Sequence, residues 1–220
     1  MTFTLVKENA AQICIDSHAA DYKGLKHVAK ILAGDILTVT GKEPEIVEQI
    51  QNVPQIVAAT KGTSDILAKW EEEKKIDLSV LEGKREVFMV QLIEEDGAEK
   101  LVIVGTETIA TLYGLYYISE NIGVSPWVYW ADVVPAPKKE IVFDKSICTV
   151  SKEPSVRYRG FFMNDEWPSL GNFVMHTFGD FNEFFYEKVF DLLLRLKGNY
   201  FWPAMWSASL PLDGSEDPLA

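Results

Sequence analysis

The sequence predicts an α/β fold in two parts, and three observations point to it. Apolar runs of strand length alternate with amphipathic stretches at helical spacing along most of the chain. An Asp-Gly pair sits between two apolar runs, a hairpin signal inside that pattern. Residues 157–206 then read as strand, long helix and strand, one β-α-β unit. The junction falls at Ser151-Lys152-Glu153-Pro154. It separates a small amino-terminal α/β domain over residues 1–152 from a second region over 153–220.

Gln12–Ile15 is a short apolar strand leading into a helix over residues 22–39, where Leu25, Val28, Ile31, Leu32 and Ile36 share one face. Residues 56–59 form a second buried strand, bounded by Pro54 and Gly62. Thr63 or Ser64 caps the next helix, which carries Ile66, Leu67 and Trp70. Glu71-Glu72-Glu73 and Lys74-Lys75 read as its solvated end. Residues 86–93 and 100–104 flank the turn Glu94-Glu95-Asp96-Gly97. Gly105-Thr106 then opens a helix through Ile109, Leu112, Tyr113 and Tyr116 that stops near Gly123. A glycine between strand and helix suits a phosphate cradle, but an ordinary turn capped by Thr106 is the preferred reading. Pro135, Pro137 and Lys138-Lys139 mark an extended surface segment.

In the second region Asp180 and Glu183 stand at capping-box spacing. Phe181, Phe185, Val189, Leu192, Leu193 and Leu196 form the apolar face of the helix that follows, with Glu183, Glu187, Asp191 and Arg195 on the wet side. Gly198 supplies the stop. A helix with so broad an apolar face lies against a sheet. A closed (β/α)8 (TIM) barrel takes roughly 250 residues, so residues 157–220 cannot close one and are expected to be the opening unit of a truncated barrel. The alternative is that these strands join the sheet of the first domain.

Composition narrows the partners. The 220 residues hold 33 acids against 21 bases, a net charge of -12, which argues against nucleic acid and anionic membranes. Cys14 and Cys148 stand alone in apolar runs, so neither a disulfide framework nor a zinc site is expected, and both read as buried thiols. The amino terminus lacks the pattern of a secretory signal and no apolar run is long enough to span a bilayer, so the expectation is a cytoplasmic protein. No cofactor motif or metal-ligand spacing is present.

The chemistry-bearing residues collect at the carboxyl ends of the last two strands, where α/β proteins place ligands. Asn164, Asp165 and Glu166 follow the apolar run 161–163, and Trp167 follows them. If the strand stays extended, Asp165 and Glu166 point to opposite faces, with Glu166 on the side of Gly160, Phe162 and Asn164. They are either part of a carboxylate set around a scissile glycosidic bond or loop acids that cap a helix. Trp202 and Trp206 flank Pro203-Ala204-Met205 and either pack in a core or stack on a pyranose ring. Asp213 lies in an acidic loop after the second strand, where a barrel enzyme places a further acid. His176 falls in an aromatic loop without an evident nucleophile; His18 and His27 read as structural.

The segments RYRGFFMNDEWPSL and FYEKVFDLLLRLKGNYFWPAMW closely resemble the start of the catalytic barrel of glycoside hydrolase family 115, the xylan α-1,2-glucuronidases. The run GTETIATLYGLYYISENIGVSPWVYWADV is similar to that family's amino-terminal domain near its junction with the barrel. The resemblance implies removal of glucuronic acid or its 4-O-methyl ether from xylan side chains by an inverting carboxylate mechanism. It implies no cofactor, glucuronoxylan or its oligosaccharides as partner, and a homodimer as one possible assembly. It places Asp165, Glu166 and Asp213 as catalytic-site acids, and Asn164, Trp167 and Trp206 as substrate contacts. The loop Ser207-Ala208-Ser209-Leu210-Pro211 departs from the family pattern, which weakens the match at Asp213. The remaining acids and the cation for the uronate are expected beyond Ala220, so the chain alone is expected to be inactive. The rival readings are a non-catalytic carbohydrate-binding or interaction protein, and a different uronidase or hexosaminidase with a similar leading domain.

Overall fold

Among the residues described by the computed structural model (2–16, 22–206 and 208), the elements follow in the order β1 (Thr2–Val6), β2 (Gln12–Ile15), α1 (Tyr22–Thr40), β3 (Ile46–Val47) and β4 (Gln55–Thr60). Next come α2 (Asp65–Glu72), β5 (Phe88–Glu95), β6 (Ala98–Gly105), α3 (Thr108–Ile122), β7 (Ile141–Asp144) and β8 (Thr149–Val150). The last are β9 (Gly160–Phe162), α4 (Ser169–Phe178), α5 (Glu183–Arg195) and β10 (Tyr200–Trp202). The chain divides into two units, Met1–Ser155 and Val156–Ala220.

Strands buried on both faces need unbroken apolar runs, and β2, β4 and β6 supply them. They lie parallel at the centre of a six-stranded sheet of order β3-β2-β4-β6-β5-β8, with β5 antiparallel to β6 and to β8. Alternation sends Cys14, Val57, Ala59, Val102 and Val104 to one face, against Leu67, Trp70, Ile76, Leu78 and Leu81. The opposite face carries Ile103, which meets α3 so closely that a Cβ on Gly114 would lie 2.3 Å from its Cγ2. Helix α3 also packs on α1. The hairpin turns at Asp96-Gly97, both at positive φ (51° and 80°), as a two-residue turn between strongly twisted strands requires.

Several expectations change here. Residues 2–6 and 141–144 form an antiparallel pair, β1 with β7, that the apolar pattern does not signal. Helix α3 starts on Glu107 rather than Thr106; the Thr106 hydroxyl instead accepts the Val87 N–H at 3.1 Å. Gly105 is required by close approach, since a Cβ there would sit 2.3 Å from the Thr111 nitrogen. Ser64 is the N-cap residue of α2 but makes no side-chain cap bond. Lys75, expected in solvent, pairs with the buried Glu95. Cys14 is buried, and burial pushes its thiol up to about 12, whereas Cys148 is only half-buried and its sulfur accepts the Leu92 N–H.

In the second unit β9 and β10 pair in parallel, with Gly160 opposite Tyr200 and Phe162 opposite Trp202. The connection holds two helices where the sequence suggested one, because α4 occupies the stretch read as an aromatic loop, placing the exposed His176 on a helix. The cap of α5 is Asn182, whose Oδ1 accepts from Phe185 N at 3.3 Å; Asp180 instead accepts from Phe181 N at 2.8 Å. At the other end Lys197 takes the left-handed conformation (φ 58°), with its N–H on Leu194 O and that of Gly198 on Leu193 O. Gly198 is needed because a Cβ would meet Leu193 Cδ1 at 2.4 Å and Arg159 O at 3.1 Å. Arg195 lies buried, bonding Asp191 at 2.9 Å, while Leu196 is exposed, reversing their expected sides.

Candidate functional site

The two parallel strands end at the same level, and β9 continues as an extended segment. Met163 N–H donates to Trp202 O at 2.9 Å, one step past the last paired residues. Side chains along this extension still alternate. Phe161 and Asp165 turn inward while Phe162 and Glu166 turn to solvent. At the opposite strand ends, Asn199 Nδ2 donates to Arg157 O and Arg159 Nε to Lys197 O, fixing the start of β9 to the α5–β10 loop. Arg157 and Arg159 therefore lie away from the acids.

Beyond the carboxyl ends of β9 and β10 an open depression of about 530 Å³ is lined by Asn164, Asp165, Glu166, Trp167 and Trp206. Five of the six residues singled out from the sequence thus meet in one place. The sixth, Asp213, lies outside the described residues, as does His18. Two larger depressions, each of about 610 Å³, lie in the first unit, but neither has an aromatic ring in its lining.

The two acids have different surroundings. Asp165 is 5% exposed, and its Oδ2 accepts the Ala208 N–H at 2.8 Å. Glu166 faces solvent, and its Oε1 accepts from Asn164 Nδ2 at 2.8 Å. That bond fixes one carboxylate oxygen and leaves the side chain open to a ligand. The lining contains two carboxyl groups and neither lysine nor arginine, so it presents no cation to an anionic group among the described residues. No group of His, Cys, Asp and Glu side chains suited to a metal occurs among them either.

The indoles are set by backbone features that the sequence only partly signalled. Trp167 follows Glu166 and precedes Pro168 through a cis bond. Its ring lies over Gly171, where a Cβ would come within 2.4 Å of Trp167 Cε2, so only glycine seats it. The Gly171 N–H donates to Glu166 O at 2.9 Å, joining α4 to the acid segment. Trp206 is 87% exposed, on the turn after β10. A glycine four residues after a tryptophan was the visible sign of the Trp167 seat; nothing in the sequence marked Ala208 as the partner of Asp165.

Three comparisons with known proteins bear on this site. Residues 151–220 match the model of glycosyl hydrolase family 115. A solved structure, the family GH115 4-O-methyl-alpha-glucuronidase BtGH115A with specificity for decorated arabinogalactans, is 34% identical with a TM-score of 0.78, over 95% of this chain and 27% of its own length. The chain thus spans about a quarter of that relative. A second structure, CpGH84D, is 11% identical over 74% of this chain and 23% of its own, at a TM-score of 0.42, too distant to carry an argument. No curated protein matches.

Proposed function

We propose that this chain, which belongs to glycoside hydrolase family 115, forms part of the saccharide-binding mouth of an enzyme that removes glucuronic acid or its 4-O-methyl ether from xylan side chains by an inverting two-carboxylate mechanism. The observation that carries the reading is the shared depression of Glu166, Asn164, Trp167 and Trp206 beyond two parallel strands. Exposed indoles cover the apolar face of a pyranose ring, and a carboxylate beside them bonds ring hydroxyls or assists proton transfer. Because the lining holds acids and no cation, it suits the uncharged part of the substrate. The uronate carboxylate belongs against a cation elsewhere.

The parallel pair β9–β10 has Phe161 and Phe201 covered by α5, at 6.0 Å from Tyr186 to Phe201 and 5.4 Å from Phe190 to Phe201. Its other face, with Phe162, Tyr200 and Trp202, is exposed. One covered and one open face is what a strand pair in the wall of a (β/α)8 barrel presents before its neighbours are added, and we read the second unit so. Inverting hydrolysis needs two carboxyl groups roughly 6.5–9.5 Å apart across the bond. Among the described residues only Glu166 offers a solvent-facing one in the depression. The described residues accordingly offer a saccharide-binding surface with one of the two carboxyl groups that inverting hydrolysis needs.

The test uses the purified chain with 4-O-methylglucuronoxylo-oligosaccharides, following binding by NMR and release of free uronic acid. Binding that is lost in Trp206→Ala and Glu166→Gln, without release, is the expected result. Absence of binding at millimolar ligand by folded protein overturns the reading. A second polymer is favoured by one observation: the 34% identical relative is described as specific for decorated arabinogalactans. The same titration with glucuronic-acid-bearing arabinogalactan oligosaccharides separates the two.

A further inference from the structure

We infer that Asp165 is a positioning residue, which holds the turn bearing Trp206 as a fixed aromatic platform beside Glu166. It deepens the saccharide reading above and rests on it only for the ligand.

The turn is fastened at both ends. Its first residue, Trp202, still belongs to β10, and its carbonyl receives the Met163 N–H at 2.9 Å. Its far end is Ala208, 4% exposed, whose N–H donates to Asp165 Oδ2 at 2.8 Å. Met163 and Asp165 are two residues apart on the same extended segment, so both ends of the turn are tied to one strand extension. Ala204, 2% exposed, is tucked in between. Trp206 stands out from this stapled turn at 87% exposure. An indole so exposed gains little from packing, so the backbone must fix its place.

Chemistry separates the two neighbouring acids. An Asp side chain whose oxygen accepts a buried backbone N–H ties down the backbone that carries it. Glu166, one residue on, faces solvent with its partner Asn164 at 2.8 Å. Period-two alternation assigns the roles: the inward residue builds the wall and the outward one meets the ligand. A prefixed platform also spares a ligand the cost of ordering the turn, which reads as tighter binding.

The experiment labels the full chain with 5-fluorotryptophan and assigns the six indole signals by single Trp→Phe variants. Asp165→Ala removes the acceptor; Asp165→Asn keeps an amide oxygen that accepts the same N–H. In Asp165→Ala the Trp206 fluorine signal is expected to shift and narrow towards that of a mobile segment, while Trp202 stays as in the parent. In Asp165→Asn the Trp206 signal is expected to return to its parent position and width. Unchanged Trp206 in Asp165→Ala overturns the inference, and so does an Asp165→Asn spectrum like that of Asp165→Ala. If Trp202 also moves in Asp165→Ala, the unit has lost its fold there and the Asn variant alone decides by the same criterion. No saccharide is needed for these arms. With glucuronoxylo-oligosaccharide added, affinity is expected to fall roughly three- to tenfold in Asp165→Ala and to recover in Asp165→Asn. Absence of binding by the parent chain defeats the saccharide reading while the fluorine spectra still judge Asp165.

Discussion

Replacing Glu95 by Gln should make the first unit less stable at neutral pH and erase that difference in acid. Glu95 ends β5 and is 3% exposed, with Lys69 Nζ 2.7 Å from Oε1 and Lys75 Nζ bonded to Oε2. Burial pushes its carboxyl up, but the two ammonium groups more than offset this and hold it at about 2, against an ordinary 4.5. The folded value is depressed, so the stabilisation is full above pH 4.5 and is lost as pH falls towards 2. The gap corresponds to about 3 kcal/mol by linkage. Lys69 and Lys75 are 49% and 33% exposed, and solvent screening reduces this to about 1–2 kcal/mol. Urea unfolding by circular dichroism at pH 7, 5, 4, 3 and 2.5, for parent and Glu95→Gln, reads the difference directly. It should be about 1–2 kcal/mol at pH 7 and shrink steadily below pH 4.5. A difference that stays constant across the series, or is absent at pH 7, would refute the claim that the ion cluster stabilises this end of the hairpin.

Further outcomes follow from the packing. Gly160→Ala should abolish the β9–β10 pairing, because its Cβ would fall 1.5 Å from Tyr200 O; loss of the second unit's signals with the first unit intact, seen by NMR, checks it. Gly114→Ala forces a methyl to within 2.3 Å of Ile103 Cγ2 and should cost about 1–3 kcal/mol in urea unfolding. Iodoacetamide at pH 8 should modify the half-buried Cys148 first and spare Cys14, which is buried and held at about 12; mass spectrometry before and after urea counts the labels.

The sheet of the first unit was legible because its central strands are buried on both faces and so read as continuous apolar runs, and because Asp96-Gly97 announces its own turn. What escaped has physical causes. Strands β3 and β8 have two residues each, too short for any periodicity. The partner of β1 lies after the proline-rich segment, far along the chain, and its outward Val142 is half exposed. Helix α4 was missed because SLGNFVMHTF carries a glycine, an asparagine and a threonine, poor helix formers; the Trp167 ring on Gly171 is a tertiary contact that propensity does not register. In α5 the cap is Asn182 rather than Asp180, because spacing alone does not decide which side-chain oxygen near a helix start meets an N–H three residues on.

The candidate site shows the same division between pattern and contact. The alternation that put Asp165 and Glu166 on opposite faces was readable from spacing alone. Which face is covered was not, since both carry large aromatics: Phe161 and Phe201 on one, Phe162 and Trp202 on the other, each pair edge to face at 5.7 and 5.6 Å. Aromatic content therefore does not distinguish a core from a ligand surface. The amphipathic helix does, because α5 sets Tyr186 and Phe190 against Phe201 and so fixes the inward side. Once that side is known, parity along the extension of β9 turns Asp165 in and Glu166 out. A one-residue slip of β9 against α5 would exchange the two acids and destroy the depression. The aromatic packing beneath the strands thus specifies which acid faces solvent at their ends.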